Sequence, residues 1–152
     1  YDIIMRDALA VSIGMKDNKV IDEVNIYEAT KLAMYDAING LKIKPEHVLI
    51  DAMKLEKLDI PSTSIIKGDA KSEAIAAASI IAKVTRDRMM IELSKKFPEY
   101  GFEKHKGYPT KAHIKNVKKY GLLDNYRFTF RPISDLIKQG GKFEREIRKT
   151  NN

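Results

Sequence analysis

Residues 72–91 have the sequence SEAIAAASIIAKVTRDRMMI, which is rich in alanine and contains no glycine or proline. These properties predict one long helix. Ile80, Val84, Asp87 and Ile91 follow i, i+4, i+7 and i+11 spacing, so we expect them to line a single apolar face of that helix. Asp87 is the most informative residue of the chain, because it places a carboxylate on this inward face.

The carboxylate of Asp87 needs a compensating partner in such a position. Burying an unpaired carboxylate costs several kcal/mol of desolvation free energy. A bound metal ion would compensate it, and so would Arg86, Arg88 or an edge position that solvent reaches. A metal-binding or catalytic role and a structural ion pair are therefore both open for Asp87.

A second aspartate follows a short apolar segment. Residues 47–53, with the sequence HVLIDAM, come after Pro45 and predict a strand that is buried on both faces. Asp51 lies at the carboxyl end of this strand, where open α/β sheets place their binding crevices, although an aspartate there also commonly starts a turn. Carboxylates at a strand end and on the wall of a following helix, Asp51 and Asp87, would together suit Mg²⁺ or Mn²⁺, which prefer oxygen ligands.

The other segments give an alternating order of strands and helices. Residues 8–15 predict a strand, residues 22–41 a helix and residues 63–67 a second short strand. Residues 110–120 predict a lysine-rich helix with Thr110 as its N-cap. This order indicates an α/β class, and the length of 152 residues fits one domain of ordinary size.

The net charge of +7 is concentrated in the second half of the chain. Residues 1–82 contain 10 Lys and Arg against 13 Asp and Glu, a balance of −3, whereas residues 83–152 contain 18 against 8, a balance of +10. A basic half is typical of proteins that bind polyanions. The alternative is a solvated basic surface with a charged end, residues 140–152, that frays.

The composition excludes several kinds of site. The chain has no cysteine, which excludes disulfides and thiolate metal sites and leads us to expect a reducing compartment, the cytoplasm. No apolar run approaches the ~18 residues of a membrane-spanning helix, so we expect no membrane partner. Apolar residues form 43% of the sequence, which is enough for a hydrophobic core.

A basic loop precedes the lysine-rich helix. Residues 104–111 read KHKGYPTK and place Tyr108 among lysines, with a helix N-terminus directly behind. The lysines and helix amides would meet phosphates while Tyr108 stacks on a base or sugar; the alternative is a plain surface loop whose tyrosine packs locally. His105 and His113 are too few for a zinc site without cysteine, so we interpret them as surface residues.

Five segments carry a resemblance to a known family. They are KGD at 67–69, AAASIIAKVTRD at 76–87, NIYEAT at 25–30, VLID at 48–51 and YGFEKHKGYPTKAH at 100–113. In one register, roughly over residues 1–133, the chain resembles the type 2 ribonucleases H, the ribonuclease HII enzymes of bacteria. The run at 76–87 is a highly specific match.

The resemblance implies a fold and an activity. The fold would be a ribonuclease H-like mixed sheet flanked by helices, with a C-terminal helical part. The activity would be cleavage of the RNA strand of RNA–DNA hybrids, and of single ribonucleotides embedded in duplex DNA, by two-metal-ion hydrolysis with Mg²⁺ or Mn²⁺, leaving 3′-OH and 5′-phosphate ends. Of the family's four carboxylates, Asp51 matches the strand-end aspartate and Asp87 the helix aspartate, both as catalytic metal ligands.

The resemblance also implies contacts with nucleic acid. Tyr108 matches the tyrosine that stacks on the sugar at the RNA–DNA junction. The lysines that we expect to bind nucleic acid are Lys67, Lys83, Lys104, Lys106 and Lys111. The expected partners are RNA–DNA hybrids and duplex DNA that contains ribonucleotides.

Two departures from the family matter. The family's first strand carries an Asp-Glu pair followed by Gly-Arg-Gly, and no such segment occurs here; Asp22 and Glu23 precede a helix and do not replace it. Residues 126–130 read YRFTF, where the family usually has His-Arg-Lys-Ser-Phe. We therefore expect an N-terminally truncated enzyme, with an incomplete ribonuclease H type 2 domain at 1–133 that lacks its first two strands and a charged tail at 134–152.

Two functions are compatible with such a chain. The first is a metal-dependent endoribonuclease that needs the missing N-terminal segment of the same protein, so that this fragment alone is expected to be inactive. The second is a non-catalytic remnant that binds nucleic acid through its basic half. An in-frame Asp-Glu-x-Gly-Arg-Gly upstream of Tyr1 would favour the first.

Overall fold

A computed structural model describes residues 1–139 and 147–150 of the chain. The chain forms two compact units, which are a first unit of residues 1–16 and 27–85 and a second unit of residues 17–26 and 86–152. Helices and small parallel strand pairs make up the described part, in agreement with the predicted α/β class. Within it, no helix is both long enough and apolar enough to cross a membrane.

All the predicted helices and strands have counterparts in the structure except the strand at 8–15. The helices are α1 (Asp2–Asp7), α2 (Asn18–Asn39), α3 (Glu73–Lys96), α4 (Phe102–His105), α5 (Lys111–Tyr120) and α6 (Ile133–Lys138). The strands are β1 (Val48–Asp51), β2 (Ser62–Ile65), β3 (Leu122–Leu123) and β4 (Ile147–Arg148). Helix α2 is interrupted at Asn25, whose φ is 73°.

Strands β1 and β2 form a parallel pair in the first unit, with Asp51 opposite Ile65. The Ala52 N–H donates to the Ile65 carbonyl at 3.0 Å and continues the ladder past Asp51. Ile50 is buried, but Leu49, which points to the opposite face, is 41% exposed. The prediction of a strand buried on both faces is therefore wrong, because the described residues of the first unit cover one face of this pair.

Residues 8–15 form no strand, although their sequence predicted one. The segment packs instead against the backbone of α2. A Cβ placed on Gly14 would overlap the Ala33 carbonyl oxygen and lie 2.7 Å from Ala37 N. The predicted strand is wrong because this apolar segment meets a helix within the described chain, and a glycine permits the close approach.

The substitution Gly14→Ala is expected to lower the free energy of unfolding by about 1–3 kcal/mol, as overpacking does. The atoms that the new methyl group meets belong to the backbone of α2, which cannot rotate away. Urea denaturation followed by circular dichroism measures the change. Gly40→Ala is the matched control and should lose less, because its closest clash is with the Ser12 side chain. Equal stability of Gly14→Ala and the wild type would contradict this packing.

Aromatic and aliphatic side chains form the core of the second unit. The rings of Tyr100 and Phe102 stack with centroids 5.6 Å apart, and both side chains are fully buried. Val117 from α5 and Leu122 and Leu123 from β3 are fully buried with them. The core therefore joins α4, α5 and β3, which are the elements that flank the basic loop in the sequence.

The first turns of α2 are part of the second unit and bind it through hydrogen bonds. Asn18 Nδ2 donates to two backbone carbonyl oxygens of the segment after β3, at 2.9 and 2.8 Å. The Asp22 carboxylate accepts the Phe128 N–H at 2.7 Å and both the N–H and the hydroxyl of Thr129, at 3.2 and 2.5 Å. Asp22 thus fixes the backbone of Phe128 and Thr129, and that the Asp22–Glu23 pair does not replace a catalytic pair stays a prediction.

The C-terminal tail is anchored where the structure describes it. Strand β4 pairs in parallel with β3. The Thr150 hydroxyl and N–H donate to Asp124 Oδ1 at 2.6 and 2.9 Å, and the hydroxyl above all holds the pKa of Asp124 below its usual range. The expectation that the tail frays is therefore wrong for residues 147–150, while residues 140–146 and 151–152 lie outside the described residues.

Candidate functional site

Asp51 ends β1, as predicted, and the backbone of a nearby turn holds its carboxylate. The Gly68 N–H donates to Asp51 Oδ1 at 2.8 Å. The turn begins at Lys67, whose φ of 56° lies in the left-handed region. A Cβ on Gly68 would lie 3.3 Å from Asp51 Oδ1 and 2.5 Å from Ile75 Cδ1, so a larger residue would press on the carboxylate and on α3. The turn therefore fixes the direction of one Asp51 oxygen.

Sequence reasoning missed Gly68 as part of this site. The signal was a glycine in the KGD run at 67–69, between a predicted strand and a long helix. A glycine in such a place commonly marks the close approach of backbone to another group. Here that group is the Asp51 carboxylate.

Asp87 lies in α3 and is half-buried. The apolar face predicted around it is not buried in the described chain, because Ile80 is 44% exposed and Ile91 is 38% exposed. Helix α3 instead buries Ile75 and Ile81. The prediction that Ile80 and Ile91 lie on an inward face is therefore wrong. Within the described residues, other positions of α3 are the ones that the rest of the chain covers.

The two aspartates belong to different units, Asp51 to the first and Asp87 to the second. A spacing of about 4–8 Å between their carboxylates, as a two-metal site requires, stays a prediction. Across residues 1–139 and 147–150, no group of three or more His, Asp or Glu side chains could hold a metal ion. Carboxylate oxygens are the ligands that a hard cation prefers, so both aspartates have the right chemistry to bind one. The described residues contain no group of three such ligands.

The loop at 106–109 presents Tyr108 to solvent. The residue is 58% exposed, which disagrees with the alternative of a locally packed tyrosine. The Tyr108 N–H donates to the His105 carbonyl at 2.8 Å, and the Tyr108 carbonyl accepts from His113 Nδ1 at 2.9 Å. The two residues before it have left-handed φ angles of 50° and 83°. The loop thus combines a fixed backbone with an exposed aromatic ring, and the stacking role of that ring stays a prediction.

His105 and His113 are buried, with 9% and 2% exposure, so their interpretation as surface residues is wrong. Their rings stack with centroids 4.0 Å apart and planes 16° apart. Burial is possible because every nitrogen of the two rings has a hydrogen-bond partner. Burial is the main effect that lowers the pKa of His113, and the neighbouring His105 ring lowers it further. The hydrogen bond to the Tyr108 carbonyl acts in the opposite direction and raises this pKa. Together these effects favour the neutral form of the His113 ring.

The five predicted lysines are divided between the two units. Lys67 and Lys83 lie in the first unit, and Lys104, Lys106 and Lys111 lie in the second. Lys106 is half-buried and its Nζ donates to a backbone carbonyl at 2.7 Å, whereas the other four are exposed. Three of the five lysines therefore lie in or next to the loop at 106–109, here called the Tyr108 loop.

An open groove along α5 adds two lysines that sequence reasoning missed. The groove has a volume of about 580 Å³ and is lined by Pro109, Lys111, Ile114, Lys115, Lys118 and Pro132. The i, i+4, i+7 spacing of its lysines was the signal in the sequence, because this spacing places them on one face of a helix. With no carboxylate among the six lining residues, the groove is positively charged.

Comparison with known proteins identifies the family. A family model described as Ribonuclease HII matches residues 1–133. The ribonuclease HII of Bacillus cytotoxicus is 61% identical over 138 residues, which are 91% of this chain and 53% of that protein. The ribonuclease HII of Bacillus cereus strain B4264 is 58% identical over 139 residues, which are 91% of this chain and 54% of that protein.

A solved structure agrees with these relatives. The ribonuclease H2 from Pyrococcus horikoshii OT3 superposes with a TM-score of 0.66 and 29% sequence identity, over 81% of this chain and 66% of that chain. This similarity confirms the predicted ribonuclease H-like fold class. The chain spans about half the length of the curated relatives that it matches. By sequence and by fold, the chain belongs to the ribonuclease HII family.

Proposed function

We propose that this chain contributes to an endoribonuclease that hydrolyses the RNA strand of RNA–DNA hybrids and single ribonucleotides embedded in duplex DNA. Water would add at phosphorus and the P–O3′ bond would break, leaving 3′-OH and 5′-phosphate ends. The observation that carries the proposal is the Asp51 carboxylate, which ends β1 and is oriented by the Gly68 amide in a chain of this family. A ligand that is held in advance needs little reorganisation when its cation binds.

The proposal assigns the cation to Mg²⁺ or Mn²⁺, with Asp51 and Asp87 among its ligands. Both cations prefer carboxylate oxygens. We propose that further ligands come from the Asp-Glu pair of the family's first strand, a segment that these 152 residues do not contain. In this proposal residues 1–133 are the incomplete catalytic domain and residues 134–152 the charged tail.

The test uses the product of the longest open reading frame that contains these 152 residues, here called the parent protein. The substrate is an end-labelled DNA duplex with one ribonucleotide, and the control is the same duplex without it. We expect one cut at the ribonucleotide with Mg²⁺ or Mn²⁺, a 3′-OH end, and no cut after EDTA treatment. A folded parent protein that binds the duplex but cuts it with neither cation would contradict the proposal.

A non-catalytic nucleic-acid-binding protein is the second candidate. Two observations favour this candidate. The described residues contain no group of three metal ligands, and residues 83–152 have a net charge of +10. Both candidates predict binding to RNA–DNA hybrids, so binding alone does not separate them. Cleavage by the parent protein does, because only the first candidate predicts it.

Recognition of the duplex is assigned to the Tyr108 loop and the lysines around it. An exposed aromatic ring on a fixed backbone loses little conformational freedom when it stacks on a sugar or base. Lys104 and Lys111 are exposed, stand before and after Tyr108 in the sequence, and would neutralise phosphates. The groove along α5 would extend that contact through Lys115 and Lys118.

Tyr108→Ala in the parent protein is expected to weaken affinity for a duplex with a single ribonucleotide by about 1–3 kcal/mol, the usual contribution of a stacked base. Fluorescence anisotropy at fixed ionic strength measures the change. Tyr108→Phe is the matched control and should bind nearly as the wild type does, because it keeps the ring. If Tyr108→Ala and the wild type bind equally, the loop is a plain surface loop.

Removal of a groove lysine is expected to change the salt dependence of binding. Each of Lys115→Ala and Lys118→Ala should reduce the slope of log affinity against log salt by about 1, because one fewer phosphate is neutralised. Titrations between about 50 and 200 mM salt give the slope. Lys42→Ala, an exposed lysine of the first unit outside the groove, is the control and should leave it unchanged. Unchanged slopes in both groove variants would exclude the groove from the interface.

A further inference from the structure

His105 is held in one neutral tautomer by its two hydrogen bonds. Its Nε2 lies 2.9 Å from the Tyr100 carbonyl oxygen, which can only accept, so Nε2 carries the proton. Its Nδ1 accepts the Gly107 N–H at 3.2 Å and therefore keeps its lone pair. The His105 ring thus donates to the Tyr100 carbonyl, which lies before the loop in the sequence, and accepts from the Gly107 N–H within the loop.

His113 is held in the opposite tautomer. Its Nδ1 lies 2.9 Å from the Tyr108 carbonyl oxygen and must donate, so Nδ1 carries the proton. Its Nε2 lies 2.6 Å from the Tyr126 hydroxyl and is left to accept. Burial raises the pKa of Tyr126 above its usual range, so that hydroxyl keeps the proton that it donates.

The two rings, here called the histidine pair, bind the loop at two points. His105 holds the Gly107 N–H, and His113 holds the Tyr108 carbonyl. Lys106, between α4 and these two points, has a left-handed φ of 50°, a conformation that is unfavourable for a residue with a Cβ atom. The loop therefore needs outside support, and two stacked, buried rings provide it because they have no room to turn away.

We propose that the histidine pair positions Tyr108 for duplex recognition, with His113 as the principal positioning residue and its Nδ1–H as the group that orients the Tyr108 peptide. This inference rests on the proposed function, since it requires Tyr108 to stack on nucleic acid. Both rings are buried, so the pair acts through Tyr108 and not by touching the duplex. A loop that is ordered beforehand loses less entropy on binding, which raises affinity.

The first experiment tests the tautomers themselves. The parent protein is labelled with ¹⁵N-histidine, and long-range proton–nitrogen spectra distinguish a proton on Nδ1 from one on Nε2. The variants His105→Gln and His113→Asn assign the signals. We expect the proton on Nε2 in His105 and on Nδ1 in His113, each as a single long-lived form. The same tautomer in both rings, or rapid averaging, would overturn the proposal.

Two variants of His113 separate positioning from simple packing. His113→Asn keeps a donor at the place of Nδ1 and loses the acceptor for Tyr126, whereas His113→Gln keeps a group at the place of Nε2 and loses the donor to Tyr108. We expect amide exchange in the loop to be about tenfold faster, and affinity about tenfold weaker, in the Gln variant only, as for the loss of one hydrogen bond. Tyr126→Phe removes the same bond as the Asn variant and should also bind normally.

A purely structural role predicts a different pattern. Affinity would then follow the free energy of unfolding, which denaturation of each variant measures, and His113→Asn would bind as weakly as His113→Gln. That outcome overturns the positioning role. Equal loop exchange rates in the two variants would overturn it as well.

A double variant distinguishes failure of this inference from failure of the proposed function. In the Tyr108→Ala background, His113→Gln should cause no further loss of affinity, because its effect passes through Tyr108. If Tyr108→Ala leaves affinity unchanged, the recognition role that the proposed function gives to Tyr108 fails, while the tautomers and loop exchange rates still decide whether the pair orders the loop. If Tyr108→Ala weakens binding but His113→Gln does not, the recognition role of Tyr108 stands and the positioning role of His113 is overturned.

Discussion

Asp51→Asn in the parent protein is expected to slow cleavage at an embedded ribonucleotide by at least about 10²-fold. Loss of a metal ligand removes several kcal/mol of transition-state stabilisation, and each ~1.4 kcal/mol is a factor of ten in rate. Asparagine has the same size and still offers an oxygen to the Gly68 N–H, so the turn should keep its conformation. Single-turnover rates at saturating duplex concentration measure the effect.

Asp69→Asn is the matched control for this experiment. Asp69 is exposed in the same turn, and its Oδ1 accepts the Ala70 N–H at 2.9 Å. Its substitution should change the rate by less than about twofold, as expected for a surface position outside the site. Full activity in Asp51→Asn would remove Asp51 from the catalytic site. Equal losses in both variants would point to the stability of the turn and not to a ligand.

The 152-residue chain by itself is expected to cleave the same duplex at least about 10³-fold more slowly than the parent protein. An incomplete ligand set loses both the positioning of the reacting groups and the stabilisation of developing charge, and one preorganised contact alone is worth about 10²–10³ in rate. The described residues contain no group of three ligands, which is the reason for this expectation.

Cleavage and binding are measured together in that comparison. The chain keeps the +10 half, the exposed Tyr108 ring and the α5 groove, so its affinity for the duplex should remain measurable. A chain that binds but does not cut would agree with the expectation. Robust Mg²⁺-dependent cleavage by the purified 152-residue chain would show that its own residues complete the site.

Features with local causes could be predicted from the sequence. Thr110 caps α5, as predicted, and its side chain accepts the His113 N–H at 3.2 Å. Serine and threonine are preferred at the N-cap because their hydroxyl oxygens can accept such a bond. Asp51 was placed correctly at a strand end because a short apolar run bounded by breakers defines both ends of a strand. Each of these features depends on residues a few positions apart.

Features that depend on distant partners could not. The apolar pattern of Leu49 and Ile80 predicts where a second layer would pack, but exposure depends on whether the described chain supplies that layer. The burial of His105 and His113 depends on backbone carbonyls and a hydroxyl that face them only in the folded unit. No pattern of side chains along the sequence encodes such an arrangement.

The hydrogen bonds that Asn18 donates and Asp22 accepts have a consequence for the synthesis of the protein. They join groups that are 106 to 108 positions apart in the sequence. At a translation rate of about 5–20 residues per second, their partners are made about 5–20 s after residues 17–26. The second unit can therefore close only late in translation, and a ribosome that stalls before Asp124 leaves these two side chains without the partners that the native structure gives them.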